Sequence, residues 1–226
     1  FFFFFFLLLF VFLWLAVSSH AKEVVSLKFV VLVPDIDRTR MLHSIDNELD
    51  RLNAHFSVVG TVAFEQRLVV WFEDVKGSSC ELVNHGTKAQ PYDFKRWAAL
   101  FDGCSDLRIT SDGAIVVYVI DAFSEANGFR EQNSHGRMNG YKPVLFLDYE
   151  RVLSGSQNPL VHEMGHAFGL GHVCAVGAVR QSSTNPMASA DCGLGSGGMR
   201  NLAFDEDQIL TIRRNAFSIK GRLESR

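Results

Sequence analysis

The chain has 226 residues and a formal net charge of −3, with 47% hydrophobic and 21% charged residues. This length suits one domain with a sizeable core, and the composition excludes a wholly disordered chain. Acidic residues slightly outnumber basic ones, so the composition gives no sign of the basic surface that nucleic-acid binding requires. We therefore expect no nucleic-acid partner.

The chain begins with an extreme apolar segment. Residues 1–17 are all apolar, and small residues follow at Ser19 and Ala21. This pattern is typical of a secretory signal peptide that is cleaved after Ala21. We therefore expect residues 1–21 to be a signal peptide, residues 22–226 to form the folded domain, and the mature protein to be secreted without membrane attachment. The alternative is an uncleaved membrane anchor, because 17 apolar residues are close to the minimum that spans a bilayer.

The folded part begins with strands that alternate with helices. Valine-rich residues 24–33 predict a buried strand, and apolar residues at three- and four-residue spacing predict a helix that ends near Phe56. Further predicted elements are strands at 67–75, 114–120 and 144–149 and a short helix at 93–101. The polar residues 128–141 predict a loop with an irregular edge strand. This order favours an α/β (α+β) fold with a mostly parallel sheet.

The C-terminal part has a different character. Residues 173–203 are rich in glycine and show no clear period. A last helix is predicted to begin near Asp205, because Asp205 and Gln208 have the spacing of a capping box.

Four cysteines occur in the chain, at Cys80, Cys104, Cys174 and Cys192. In a secreted protein an even number of cysteines predicts disulfides, and four cysteines allow three pairings. Pairing of sequence neighbours, Cys80 with Cys104 and Cys174 with Cys192, is the simplest of these. Free buried thiols are the alternative.

Residues 162–172 read HEMGHAFGLGH and contain the candidate metal-binding residues. On a helix, His162 and His166 lie one turn apart on the same face, so both imidazoles can reach one metal ion. Glu163 is displaced around the helix, where it can face a water molecule on that ion. His172 can supply a third nitrogen if the chain turns back. Three neutral imidazoles leave a fourth zinc position open, which is typical of a catalytic site.

Flanking residues indicate the bounds of this helix. Asn158 and Pro159 predict its start, as the N-cap and a first-turn proline. Gly169 predicts its end, because a glycine adopts the positive φ that helix termination uses.

This motif resembles that of the metzincin zinc endopeptidases, which is HExxHxxGxxH followed by a Met-turn. Met187 lies fifteen residues after His172 and is the Met-turn candidate, with Met199 as the alternative. The resemblance implies a twisted, mostly parallel sheet with an antiparallel edge strand and two helices above a zinc cleft. It places this upper part at residues 22–172, and an irregular lower part with a C-terminal helix at residues 173–226.

The resemblance also implies an activity. It predicts a monomeric endopeptidase with one catalytic Zn²⁺ held by the three histidines and with Glu163 as the general base that acts on a zinc-activated water. Its partner would be an extended peptide or protein substrate that pairs with the edge strand. The alternative is a non-proteolytic, zinc-binding secreted module, which would have no need of Glu163. Asp121 and Asp148 lie at the ends of predicted strands, where we expect their carboxylates to make structural hydrogen bonds. The alternative is that they bind a structural Ca²⁺.

The subfamily is left open by the sequence. The residue after the third histidine is Val173, which matches none of the familiar metzincin groups, and Ser189 stands where some groups place a tyrosine. The motif is nearest in look to matrixin-like and archaemetzincin-like enzymes. Little sequence separates Ala21 from the first predicted strand, so we expect no latency segment.

Overall fold

The computed structural model describes residues 22–86, 90–91, 93–110, 113–126, 129–132, 134–137, 143–190 and 196–225. The predicted signal peptide, residues 1–21, lies outside the described residues. None of the helices in the described ranges combines the length and the apolar character that crossing a bilayer requires.

The elements are short, apart from two long helices. The strands are β1 (Glu23–Val31), β2 (Val62–Trp71), β3 (Gln90–Pro91), β4 (Ile115–Ile120), β5 (Ala122–Ala126), β6 (Phe129–Gln132), β7 (His135–Arg137), β8 (Val144–Asp148), β9 (Val173–Cys174) and β10 (Ala188–Ser189). The helices are α1 (Arg38–Phe56), α2 (Phe72–Val75), α3 (Glu81–Gly86), α4 (Phe94–Asp102), α5 (Tyr149–Ser154), α6 (Pro159–Ala167) and α7 (Glu206–Glu224).

The main sheet has five strands in the order β2-β1-β4-β8-β7. The first four strands are parallel, and β7 pairs antiparallel with β8 at the edge of the sheet. The predicted mixed α/β fold, with its mostly parallel sheet and its antiparallel edge strand, is therefore confirmed. A small sheet of β3, β5 and β6 and a short β9–β10 pair lie outside it.

Apolar layers cover both faces of the main sheet. Successive side chains of a strand point to opposite faces. Leu27 and Phe29 of β1 accordingly pack with apolar residues of α1, α6 and α7, whereas Val30 packs with residues of α3 and α4. All six residues of β4 are buried, which explains the unbroken apolar sequence of this strand. The fold thus places α6, which carries the first two histidines, against one face of the sheet.

The prediction of a strand at 67–75 is wrong in its bounds. Strand β2 begins at Val62 and ends at Trp71, and residues 72–75 form α2. Residues 65–68 are exposed at the sheet edge, and the polar side chains of residues 65–67 interrupt the apolar pattern. Beyond Trp71 the chain becomes helical, and the Asp74 carboxylate accepts a hydrogen bond from the Trp71 N–H at 3.0 Å.

The predicted disulfide between Cys80 and Cys104 is present, with a Cα–Cα distance of 5.1 Å. It joins the residue before α3 to a residue shortly after α4. Cys80 belongs to the apolar layer on the face of the sheet opposite to α6. The disulfide therefore stabilises that layer and lies away from the histidines.

Replacing both Cys80 and Cys104 with alanine should lower the free energy of unfolding by about 3 kcal/mol. The physical reason is that the disulfide restricts the unfolded chain over a sequence separation of 24 residues. Denaturant unfolding of the oxidised wild type and of the double variant measures the difference. Zinc affinity should stay at the wild-type value, because the histidines lie across the sheet. An unchanged free energy of unfolding would contradict this role.

Candidate metal centre

Helix α6 presents the first two histidines and ends where the sequence predicts. Its first residue is Pro159, and Gly169 has the positive φ of 87° that was expected. The Gly169 N–H donates to the His166 carbonyl and the Leu170 N–H donates to the Gly165 carbonyl, both at 2.9 Å. These two bonds form a Schellman motif. The motif turns the chain back toward the helix and brings His172 to the other two histidines.

The structure brings His162, His166 and His172 together. One ring nitrogen of each lies within 4.8 Å of the corresponding nitrogens of the others. The Nε2 atoms of His166 and His172 are 3.0 Å apart, close to the separation of roughly 3.3 Å between two nitrogens that bind one tetrahedral zinc at about 2.0 Å. His162 is buried, His166 is half-buried and His172 is exposed, so the group is open to solvent on one side.

Two backbone carbonyls orient the rings for metal binding. The Nδ1 atom of His162 lies 2.7 Å from the Pro186 carbonyl oxygen, and that of His166 lies 2.8 Å from the Leu170 carbonyl oxygen. Since a carbonyl can only accept, each Nδ1 carries the proton and each Nε2 keeps its lone pair. Burial, together with the nearby positive charge of Arg200, holds the pKa of His162 well below its ordinary value. His162 is therefore neutral, as a metal ligand has to be.

Glu163 lies in the same helical turn as His162. Its side chain is 3% exposed, which is rare for a carboxylate. The structure thus places this carboxylate in the buried surroundings of the first histidine.

Met187 packs directly against α6. A Cβ atom added to Gly165 would lie 2.2 Å from the sulfur of Met187, so the methionine occupies the space beside that glycine. The Asn185 side chain accepts the Met187 N–H at 2.8 Å, and the Ala188 N–H donates to the Asn185 carbonyl, which closes a turn. The structure therefore brings Met187 to the histidine helix, whereas Met199 is 39% exposed.

The C-terminal helix holds this turn in place. Gln208 and Asp205 form the predicted capping box. The Gln208 side chain also exchanges two hydrogen bonds with the Asn185 side chain, at 2.8 and 3.1 Å. The sequence indicated the capping box but gave no sign of its link to Asn185, 23 residues earlier.

Helix α6 begins at Pro159 as predicted, but the capping of its first turn differs from the prediction. Asn158 precedes the helix, but its side chain makes no cap. Its backbone is left-handed, with φ of 45°, and its amide donates instead to the carbonyls of Met199 and Arg200, at 3.4 and 3.0 Å. The N–H of Leu160 is satisfied by the Glu48 carboxylate of α1, at 3.1 Å. Sequence reasoning missed Glu48, because a residue 112 positions away leaves no local signal.

The second predicted disulfide, between Cys174 and Cys192, lies partly outside the described residues. Cys174 is disulfide-bonded, but Cys192 lies outside the described residues, so their pairing stays a prediction.

The alternative of a structural Ca²⁺ at Asp121 and Asp148 finds no support. Among the described residues, the three histidines are the only group of three or more His, Cys, Asp or Glu side chains close enough to share a metal ion. Asp148 instead accepts the N–H groups of Glu150 and Arg151 at the start of α5.

Gly165→Ala should displace Met187 and weaken metal binding, because the new methyl group needs space that the buried methionine fills. Such overpacking should also cost about 1–3 kcal/mol of stability. The matched control is Gly171→Ala, in the same motif, where a methyl group meets nothing within 4 Å. Competition with a chromophoric chelator measures both zinc affinities. Equal affinities for the two variants would contradict the packing of Met187 against α6.

Comparison with known proteins supports the fold. No protein-family model matches the chain, and no curated protein matches it in sequence. Among solved structures, the chain is similar to metalloproteinase-II from Bacteroides fragilis, with 10% identity and a TM-score of 0.55 over 88% of this chain and 54% of that one. The chain thus spans about half the length of that protein. A second match is archaemetzincin from Methanopyrus kandleri, with 17% identity and a TM-score of 0.41 over 89% and 98% of the two chains. At 10% identity the first likeness shows a shared fold alone.

Proposed function

We propose that this protein is a secreted zinc endopeptidase. The observation that carries the proposal is the convergence of three histidine nitrogens within 4.8 Å, beside a buried glutamate. The metalloproteinase fold is consistent with it. Secretion is supported by the apolar residues 1–17 and by the Cys80–Cys104 disulfide, since disulfides persist mainly in oxidising compartments.

The donor set fits a catalytic zinc ion. His162, His166 and His172 would hold the ion through neutral imidazole nitrogens, which zinc binds well. The exposed side of the group, at His172, leaves room for a fourth position that water or substrate can reach. When bound, zinc polarises the scissile carbonyl and lowers the pKa of its water to about 7.

In this proposal Glu163 moves the proton. Its carboxylate accepts a proton as water attacks the peptide carbonyl carbon, and then delivers that proton to the nitrogen of the leaving amine. The C–N bond breaks, and the products are a carboxylate and an amine. The carbonyls of Pro186 and Leu170 would keep the two helical imidazoles in the tautomer whose Nε2 lone pair can bind the metal.

The position of β7 at the edge of the main sheet is consistent with an extended peptide substrate. Strand β7 pairs with β8 on one side, and within the described part of the chain no strand pairs with its other side. Strand β7 also contacts α6, the histidine helix. A peptide that adds to this edge would make backbone hydrogen bonds and lie near the histidines, which is recognition by β-augmentation.

Glu163→Ala should abolish cleavage of denatured casein while zinc stays bound. Loss of a general base typically lowers the rate by about 10²–10⁴-fold. A chelator should abolish wild-type cleavage, and added Zn²⁺ should restore it. The matched control is Glu81→Ala, which removes an exposed carboxylate on the opposite face of the sheet and should cleave normally.

Two results would contradict the proposal. A wild type that binds zinc and cleaves nothing would identify a non-proteolytic zinc-binding module. A Glu163→Ala variant that loses zinc would show that the glutamate is structural rather than a general base.

A further inference from the structure

A buried carboxylate on α1 joins three elements near the metal centre. Glu48 is 1% exposed. One of its oxygens accepts the Leu160 N–H of α6 at 3.1 Å, and the other accepts Arg51 Nη1 at 2.8 Å. The same Arg51 nitrogen donates to the carbonyl of Gly155, the residue that ends α5, at 3.0 Å. Helix α1 therefore holds both the end of α5 and the beginning of α6.

Helix α6 depends on this external carboxylate because it lacks a cap of its own. The first N–H groups of a helix have no partner within it. The residue placed to cap them, Asn158, uses its amide on the carbonyls of residues 199 and 200. Glu48 therefore supplies the acceptor, and its negative charge also suits a helix N-terminus.

Stability alone is a weak explanation for a charge in this position. Burial raises the pKa of Glu48, although the Leu160 N–H and Arg51 act in the opposite direction. Even a fully buried ion pair often contributes no more to stability than apolar side chains of the same size would, and the Arg51 side chain here is 41% exposed. A directed hydrogen bond also helps to fix a helix at a defined position along its own axis.

We propose that Glu48 is a positioning residue for the metal centre. It fixes the beginning of α6, two residues before His162, and so sets where the two helical histidines stand relative to His172. That third histidine lies beyond the end of α6, in a segment that has an additional anchor outside the helix, because the next residue, Val173, donates its N–H to the Met187 carbonyl at 2.8 Å. A shift of α6 along its axis would change the distance between the two parts of the ligand set. This inference rests on the proposed zinc centre.

The test compares Glu48→Leu, which keeps bulk but removes the acceptor, with Glu48→Gln, which keeps an acceptor and removes the charge. Asp46→Asn is the matched control, since Asp46 is an exposed carboxylate on the same helix. Three quantities are measured: the zinc dissociation constant, the visible absorption of the Co²⁺-substituted protein, and the free energy of unfolding of the metal-free protein. Co²⁺ absorption reports the geometry of the ligands independently of stability and activity.

Glu48→Leu should bind zinc about 10- to 100-fold more weakly, the usual effect of removing a group that orients metal ligands. Its Co²⁺ spectrum should change as well. Glu48→Gln should fall between Glu48→Leu and the wild type, and Asp46→Asn should match the wild type. If Glu48→Leu does not fold, Glu48→Gln decides the question, because an amide is a weaker acceptor than a carboxylate.

A folded Glu48→Leu variant with the wild-type zinc dissociation constant and Co²⁺ spectrum would overturn the proposal, whatever its stability. If Glu48→Leu does not fold, a Glu48→Gln variant with the wild-type dissociation constant and Co²⁺ spectrum would overturn it. Absence of zinc binding by the wild type is a separate outcome. It would overturn the proposed function and this inference with it.

Discussion

The candidate metal centre depends on one constraint: imidazoles on two different stretches of chain have to meet at one point. One turn of helix fixes His162 and His166 to each other. His172 comes after the helix has ended, beyond a left-handed turn at Gly169, yet its Nε2 lies 3.0 Å from that of His166. Contacts that hold α6 against the segments after it therefore hold the ligand set together.

Three kinds of contact meet this constraint, and each comes from a different part of the chain. The Glu48 carboxylate holds the beginning of α6, and Met187 fills the space beside Gly165 in its last turn. The side chain of Gln208 at the start of α7 holds Asn185 and with it the turn that contains Met187. The helix is thus held at both ends by elements that themselves belong to the core. Such support lets a metal centre keep its geometry before the metal binds.

The sequence predicted what local chemistry determines. The spacing of His162 and His166, the positive φ of Gly169 and the capping box at α7 each depend on residues within one or two turns, and the structure has all three features. The mostly parallel sheet could be predicted because its inner strands are continuous apolar runs. Strand β2 was placed wrongly because an edge strand exposes polar side chains. The bond of Glu48 to Leu160 and the bond of Asn158 to Arg200 connect residues roughly 40 to 110 positions apart, and no local pattern records them.

Solvent exposure increases from His162 through His166 to His172, and this order suits the proposed chemistry. His162 is buried, and its low pKa keeps it a neutral ligand with a fixed tautomer. His172 is exposed, so solvent and a peptide chain can approach from its side. A centre closed on all sides would hold zinc only for structure, since no position would be left for water. Here the buried end of the group lies in the core and the exposed end faces outward, while β7, at the edge of the main sheet, contacts α6. In the proposed function, the sheet that packs against α6 would therefore also provide the edge along which an extended substrate lies.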